Sequence, residues 1–253
     1  MGKIISIVNQ KGGVGKTTTS VNLASYLAYF SKKVLLIDLD PQANATSGLG
    51  VDHRSVEKGV YNVLSGECSA SEAIIKTKQS NYYIMPATIG LSGASVELVD
   101  LDNREFRLQE ALNDVKDMFD YIIIDGPPSL GLLTINSLVA SDNVIIPLQS
   151  EYYALEGLGQ LLETVSLIQN NLKPSLGIMG VVITMFDKRN RLSSLVRDEL
   201  YKFFPNKVFK AIIPRSVRLA EAPSYGMSIL QYDPKSSGAK NYELLAKEVI
   251  ERQ

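Results

Sequence analysis

Cysteine, histidine and long apolar runs are nearly absent from this sequence. The 253 residues include one cysteine, Cys68, and one histidine, His53. Their scarcity excludes an intramolecular disulfide framework, a CxxC redox motif and metal sites built from several cysteines or histidines. No apolar run reaches the roughly 18 residues that a membrane span requires. The apolar run near the N-terminus is too short for a signal peptide, so we expect a cytoplasmic protein.

The charge is close to zero overall but is unevenly distributed. The formal net charge is −1. Residues 180–253 carry 13 Lys and Arg against 8 Asp and Glu, whereas residues 1–179 carry 13 against 19. A basic C-terminal third suits a polyanion such as nucleic acid. Charge alone favours the alternative, which is a solvated surface with no partner.

Short β-branched runs alternate with amphipathic stretches along the whole chain. Continuous apolar strands separated by such helices indicate a parallel sheet that is covered on both faces. We predict an α/β fold, a single doubly wound, mostly parallel β-sheet flanked by helices, in one domain over residues 1–253. The predicted strands are 3–8, 34–37, 81–85, 121–124, 143–147, 180–184, 208–213 and 228–230. The predicted helices are 17–30, 103–118, 131–140, 154–172, 193–204 and 237–251.

The loop after the first predicted strand is rich in glycine and lysine. It reads QKGGVGKTTT over residues 10–19 and opens a helix. Glycines allow successive N–H groups to point at one anion, and the helix N-terminus adds a positive dipole end. Lys16 can then reach the β- and γ-phosphates of a nucleotide, and the Thr17 hydroxyl can bind Mg²⁺. Gln10 stands where the usual phosphate-loop pattern has its first glycine.

Aspartates follow two further predicted strands. Asp38 and Asp40 close the second strand, and Asp125 closes the YIII strand at 121–124. Because the carboxyl ends of parallel strands meet at one edge, these side chains should face the same crevice as the phosphate loop. A carboxylate there can orient an attacking water or help to hold Mg²⁺. The alternative for each aspartate is turn capping.

These segments resemble the deviant Walker A ATPases of the ParA/MinD superfamily. The signature is KGGVGKTTT with the second lysine, Lys11, and the preceding Asn9-Gln10 resembles the ParA/Soj branch. The resemblance continues, in order, through segments 38–48, 125–131, 151–157 and 214–224. It implies a P-loop NTPase-like fold with ATP and Mg²⁺ as cofactors. It also implies an ATP-dependent homodimer that binds DNA nonspecifically and partitions chromosomes or plasmids, with hydrolysis stimulated by a ParB-like centromere-binding protein.

The resemblance also assigns roles to individual residues. Lys11 is expected to cross the dimer interface and contact phosphates held by the partner subunit. The residues expected to act in catalysis are Lys11, Lys16 and Asp40. The residues expected near the metal are Thr17 and Asp125, with Asp38 one layer further out. The residues expected to contact the nucleotide are Lys11, Gly12, Gly13, Val14, Gly15, Lys16, Thr17, Thr18, Met185, Pro214 and Ser216.

Two arginines match positions that contact DNA in Soj-like proteins. They are Arg189, which follows the strand at 180–184, and Arg218, which follows Pro214. Arginine fits phosphate oxygens bidentately, and phosphate contacts give affinity without sequence information. We therefore expect nonspecific double-stranded DNA as a partner and a nucleoid-associated location.

Two other roles are compatible with the same scaffold. One is a MinD-like or cargo-positioning ATPase. The polar face of the helix predicted at 237–251 carries Glu243, Glu248 and Glu251, which disfavours anionic lipid, so no membrane binding is expected. The other is an ATP-dependent small-molecule enzyme, which would need polar residues for its substrate beyond the shared motifs.

Overall fold

The computed structural model describes residues 2–151 and 154–252. Within them, eight strands form one sheet in the order β3-β4-β2-β5-β1-β6-β7-β8. All neighbouring strands run parallel except β3 and β4, which are antiparallel. The strands are β1 (Lys3–Ile7), β2 (Val34–Asp38), β3 (Ile75–Lys76), β4 (Tyr82–Met85), β5 (Tyr121–Asp125), β6 (Asn143–Gln149), β7 (Gly177–Phe186) and β8 (Val208–Pro214).

Helices cover both faces of the sheet. One apolar cluster joins the inner faces of α1 and α11 to the sheet, and two further clusters lie under the remaining helices. The predicted doubly wound α/β fold is therefore confirmed. The helices are α1 (Lys16–Tyr29), α2 (Asn44–Gly48), α3 (Val60–Ser65), α4 (Ala94–Glu97), α5 (Arg107–Leu112), α6 (Leu132–Ala140), α7 (Ala154–Asn171), α8 (Arg191–Phe203), α9 (Val217–Glu221), α10 (Ile229–Tyr232) and α11 (Ser237–Glu251).

The strand order brings the polar segments found in the sequence together. Strands β2, β5 and β1 are adjacent, and Asp38 pairs in register with Asp125, which pairs with Ile7. The phosphate loop begins directly after β1. The carboxyl ends of three neighbouring strands therefore meet at one edge, as the sequence predicts.

Two local predictions are wrong. Residues 228–230 begin helix α10 instead of forming a strand, because Ser228 and Gln231 form a reciprocal capping box at its start. The helix predicted over 103–118 is only the short α5, Arg107–Leu112, followed by a 3₁₀ turn at Lys116–Met118. The strand at 228–230 was predicted from two apolar residues, Ile229 and Leu230, and so short a run does not distinguish a strand from the first turn of a helix.

The C-terminal helix α11 packs on the sheet. Tyr242, Leu245 and Val249 are buried in the core shared with α1. The Glu248 carboxylate accepts hydrogen bonds from the backbone N–H groups of Lys210 (2.9 Å) and Ala211 (2.7 Å), which fixes strand β8 against the helix. None of the helices in the described part of the chain has both the length and the apolar character needed to cross a membrane.

Candidate nucleotide site

The phosphate loop lies between β1 and α1. Gly13 (φ +74°) and Gly15 (φ +88°) adopt the left-handed conformation that glycine allows at little cost. The loop is tied to strand β7, because the Thr184 hydroxyl donates to the Val14 carbonyl oxygen at 2.7 Å. These features hold backbone N–H groups around an open cavity of about 440 Å³. Its lining includes Gly12, Gly13, Gly15, Lys16, Thr17, Thr18 and Asp40.

Lys16 is a buried cation at the base of this cavity. Its ammonium group donates to the Lys11 carbonyl oxygen at 3.1 Å. Burial lowers the pKa of Lys16 from its ordinary value, while the nearby charges of Asp125 and Asp40 oppose that effect. The charge is thus held in place before any phosphate binds, as an electrostatic role in phosphoryl transfer requires.

Asp38, which ends β2, and Asp40, which lies two residues beyond it, have different surroundings. Asp38 is fully buried, and its carboxylate accepts from the backbone N–H (2.7 Å) and the hydroxyl (2.6 Å) of Thr46. Burial raises the pKa of Asp38 to about 6. Asp40 instead lines the phosphate cavity, and its carboxylate accepts only from the backbone N–H of Gln42 in the described structure. Asp40 is therefore the one placed to act on a bound phosphate.

Asp125 is fully buried beside Asp38. Its Oδ1 accepts from the Ser20 hydroxyl at 2.8 Å, and its buried Oδ2 has no hydrogen-bond partner among the described residues. Burial and the adjacent Asp38 carboxylate raise the pKa of Asp125 to about 8, against the hydroxyl groups of Ser20 and Thr17. A buried carboxylate oxygen without a donor suits a cation, so this set fits Mg²⁺ with Thr17 as a further oxygen ligand.

The buried Asp125 should cost stability when no metal is bound. The unfolded chain releases this proton near pH 3.8, whereas the folded chain holds it to about pH 8. Since the folded state binds more protons in that window, stability falls as the pH rises through it. We expect Asp125→Asn, in magnesium-free buffer above pH 8, to be more stable than the wild type by a few kcal/mol, on the order set by the pKa difference.

Urea unfolding from acid to alkaline pH measures this effect. The two proteins should converge only below about pH 3, where the aspartate is protonated in both states. Asp52→Asn, a change at an exposed loop position, is the matched control. Equal stability of Asp125→Asn and the wild type at alkaline pH would contradict the expectation.

A second cavity of about 340 Å³ adjoins the phosphate cavity. Gly15, Thr18 and Met185 line both. Pro214 and Ser216 line the second one, as the sequence predicts, together with Leu219 and Tyr242, which the sequence did not indicate. Its walls are largely apolar, which suits a stacked base.

Lys11 lies on the exposed rim of the phosphate loop. Its ammonium group forms an ion pair with the Glu151 carboxylate at 2.5 Å, and both side chains are about half exposed (48% and 47%). The other Glu151 oxygen accepts from the Gln149 amide. Lys11 is therefore held by its own subunit at a surface that a second subunit can reach. The neighbouring Tyr152 and Tyr153 lie outside the described residues.

Arg189 and Arg218 lie away from the phosphate loop. Arg189 donates twice to the Asp187 carboxylate (2.9 and 3.1 Å). Arg218 pairs with Glu221 (3.1 Å) and lies 3.6 Å from Asp233. Both arginines are exposed, as DNA contacts must be, but each already has a carboxylate partner.

Sequence reasoning missed the hydroxyl groups that support the two buried aspartates. Ser20 lies one helical turn after Lys16 on α1, and Thr46 lies on α2. The spacing from Lys16 to Ser20 is a usable signal, since residues four apart share a helix face. The contact of Thr46 with Asp38 depends on the path of the loop after β2 and has no such signal.

Comparison with known proteins decides the family. A family model described as "AAA domain" matches residues 2–178. The sporulation initiation inhibitor protein Soj of Bacillus subtilis is 58% identical over 249 residues, which is 98% of each chain. The chain belongs to the ParA/Soj family. The chromosome-partitioning ATPase Soj of Treponema pallidum is 49% identical and aligns over 100% of this chain and 98% of its own.

A solved structure of a relative extends the ParA/Soj comparison to three dimensions. Cobyrinic acid a,c-diamide synthase from Mycobacterium smegmatis, solved with ADP and magnesium, superposes with a TM-score of 0.87 at 36% identity. The alignment covers 99% of this chain and 94% of that one. The likeness therefore spans both the phosphate-loop half and the C-terminal half that carries the arginines.

Proposed function

We propose that this ParA/Soj family member is an ATP-dependent dimerising switch that binds DNA nonspecifically and partitions chromosomes or plasmids. A ParB-like centromere-binding partner would stimulate its ATP hydrolysis. The observation that carries the proposal is the position of Lys11, exposed on the rim of a complete phosphate loop and free of the core. The similarity to Soj proteins along nearly the whole chain supports the same proposal.

ATP and Mg²⁺ are the cofactors of this chain. Bound Mg²⁺ would neutralise charge on the β- and γ-phosphates. On the protein side, the loop N–H groups and Lys16 would bind the phosphates, and Thr17 and Asp125 would hold the metal. Asp40, at the cavity wall, orients the attacking water and accepts its proton.

Dimerisation follows from the position of Lys11. The γ-phosphate adds negative charge at the loop mouth, and the exposed Lys11 of a second subunit can neutralise it. ATP thus joins two subunits by binding the paired state more tightly than the single one. The same lysine supplies positive charge where it is needed in the transition state, so pairing and hydrolysis share one residue.

DNA binding would depend on this pairing. Arg189 and Arg218 of one subunit supply two exposed cations to a duplex. Two subunits double that number on one duplex, and linked weak sites bind far more tightly than single ones. An ATP-bound dimer would therefore coat the nucleoid, and hydrolysis at a ParB-bound centromere would release it.

A small-molecule enzyme is the second candidate, because a solved relative carries the name of a synthase. Such an enzyme would use the same phosphate loop, but its activity would give no role to the exposed Arg189 and Arg218 or to Lys11. Activity on a metabolite in the absence of DNA binding would favour that candidate.

Duplex DNA binding at several salt concentrations tests the proposal. We expect binding with ATP, weak binding with ADP or no nucleotide, and no sequence preference. The logarithm of the binding constant should fall linearly with the logarithm of the salt concentration. Arg189→Glu and Arg218→Glu should weaken it. Binding that is equal in all nucleotide states, or absent in every state, would refute the switch.

A further inference from the structure

A broad groove runs between α8 and β8, which is an edge strand of the sheet. Its volume is about 1020 Å³. Five cationic side chains and one carboxylate line it: Lys188, Arg189, Arg197, Lys210, Arg215 and Asp187. We call these cations the groove cations. The groove is large and open enough for a phosphate backbone to approach.

The groove cations fall into two kinds. Arg189 is paired with Asp187 at 2.9 Å, and Arg197 with Asp198 at 2.8 Å. Lys188, Lys210 and Arg215 have no carboxylate oxygen within 4.0 Å of their charged groups in the described part of the chain. Arg218, outside the groove lining, is paired like Arg189.

Lys210 is well placed to use its charge. It lies on β8, the edge strand, with its side chain exposed and its backbone N–H fixed by the buried Glu248. A cation on a rigid strand loses less freedom on binding than one on a mobile loop. Lys188 lines the same groove.

Resting on the proposed DNA function, we propose that the unpaired groove cations, led by Lys188 and Lys210, carry the salt-dependent affinity for the phosphate backbone. The paired arginines contribute less than their number suggests. Each brings a carboxylate to the DNA, so the Arg189–Asp187 pair adds almost no net charge. Affinity driven by counterion release follows the number of phosphates that are neutralised, and a cation already neutralised by a carboxylate adds little to it.

The proposal predicts opposite effects for two kinds of substitution. Lys188→Gln combined with Lys210→Gln should weaken duplex binding by at least about tenfold and flatten the salt slope by about two per subunit. Asp187→Asn should tighten binding several-fold, because it frees Arg189 while the amide oxygen still accepts from the backbone N–H of Arg189. Conventional reasoning from arginine number alone predicts no gain from that change.

The measurement is fluorescence anisotropy of a short mixed-sequence duplex with the full chain and a nonhydrolysable ATP analogue, over a salt series. Lys76→Gln is the matched control, since Lys76 is exposed on β3, at the opposite edge of the sheet. Sedimentation with the analogue checks that every variant still folds and dimerises.

The outcomes separate this inference from the proposed function. Weaker binding of the lysine double variant, tighter binding of Asp187→Asn and unchanged binding of Lys76→Gln support the inference. Wild-type affinity and slope in the double variant, with loss of binding in Arg189→Gln, overturn it and leave the DNA function standing. No binding by the wild type overturns both.

Discussion

We expect Lys11→Ala to abolish ATP-dependent dimerisation and to lower ATP hydrolysis by about 10²-fold or more, while the monomer stays folded. The lost interaction within one subunit is a half-exposed ion pair with Glu151, and such pairs contribute only about 0.2–1 kcal/mol. The proposed dimer would also lose a positive charge next to the γ-phosphate, and removal of one group that stabilises transition-state charge costs about 10²–10³ in rate. The effect on assembly should therefore be far larger than the effect on stability.

Sedimentation velocity with ATP and thermal unfolding, run side by side, measure the two quantities. Lys58→Ala is the matched control, because Lys58 forms a comparable exposed ion pair with Glu72 at a distance from the phosphate loop. Normal dimers and normal ATPase activity in Lys11→Ala would remove the proposed role of this residue.

Asp40→Ala should lower ATP hydrolysis by about 10²–10⁴-fold, the usual contribution of a positioned general base, and should leave ATP-dependent dimers intact. The surroundings of Asp40 suit a role in hydrolysis, whereas those of Asp38 do not. Asp40 lines the phosphate cavity, whereas Asp38 is buried and bonded to Thr46. Because hydrolysis ends the paired state, ATP-bound dimers of this variant should accumulate.

Single-turnover ATPase measurements and sedimentation with ATP test this pair of effects. Asp52→Ala, a change at an exposed position outside the cavity, is the control. If Asp40→Ala hydrolysed ATP at the wild-type rate, or lost its dimers together with its activity, the assignment of Asp40 to the chemical step would be wrong.

The sequence predicted the central part of the fold well because buried parallel strands have a local signature. The strand predicted from the YIII run is β5 in the structure. The carboxyl ends of β1, β2 and β5 lie side by side at one edge of the sheet, as predicted. The two-residue strand β3 was missed, since only its pairing with β4 defines it. Ser228 was predicted in a strand from the short apolar run that follows it, whereas its role as a helix cap outweighs that run.

The candidate site shows the same limit. Lys16 and Thr17 line the phosphate cavity and Asp125 is buried at the end of β5, positions that motif spacing and strand ends predict locally. The carboxylates that lie close to Lys11 and Arg218 were not predicted from the sequence. Glu151 pairs with Lys11 from 140 residues away in the chain, and Asp233 approaches Arg218 from a different helix end. Contacts of this kind depend on the folded path of the chain, and no sequence period encodes them.

The most direct test of the proposed ATP switch is the stoichiometry of the protein on DNA. Sedimentation of the chain with a short duplex, in the presence of a nonhydrolysable ATP analogue, gives the number of subunits in the bound species. We expect two subunits on each duplex with the analogue, and free monomers with ADP. Monomers bound to DNA as tightly with ADP as with the analogue would contradict it.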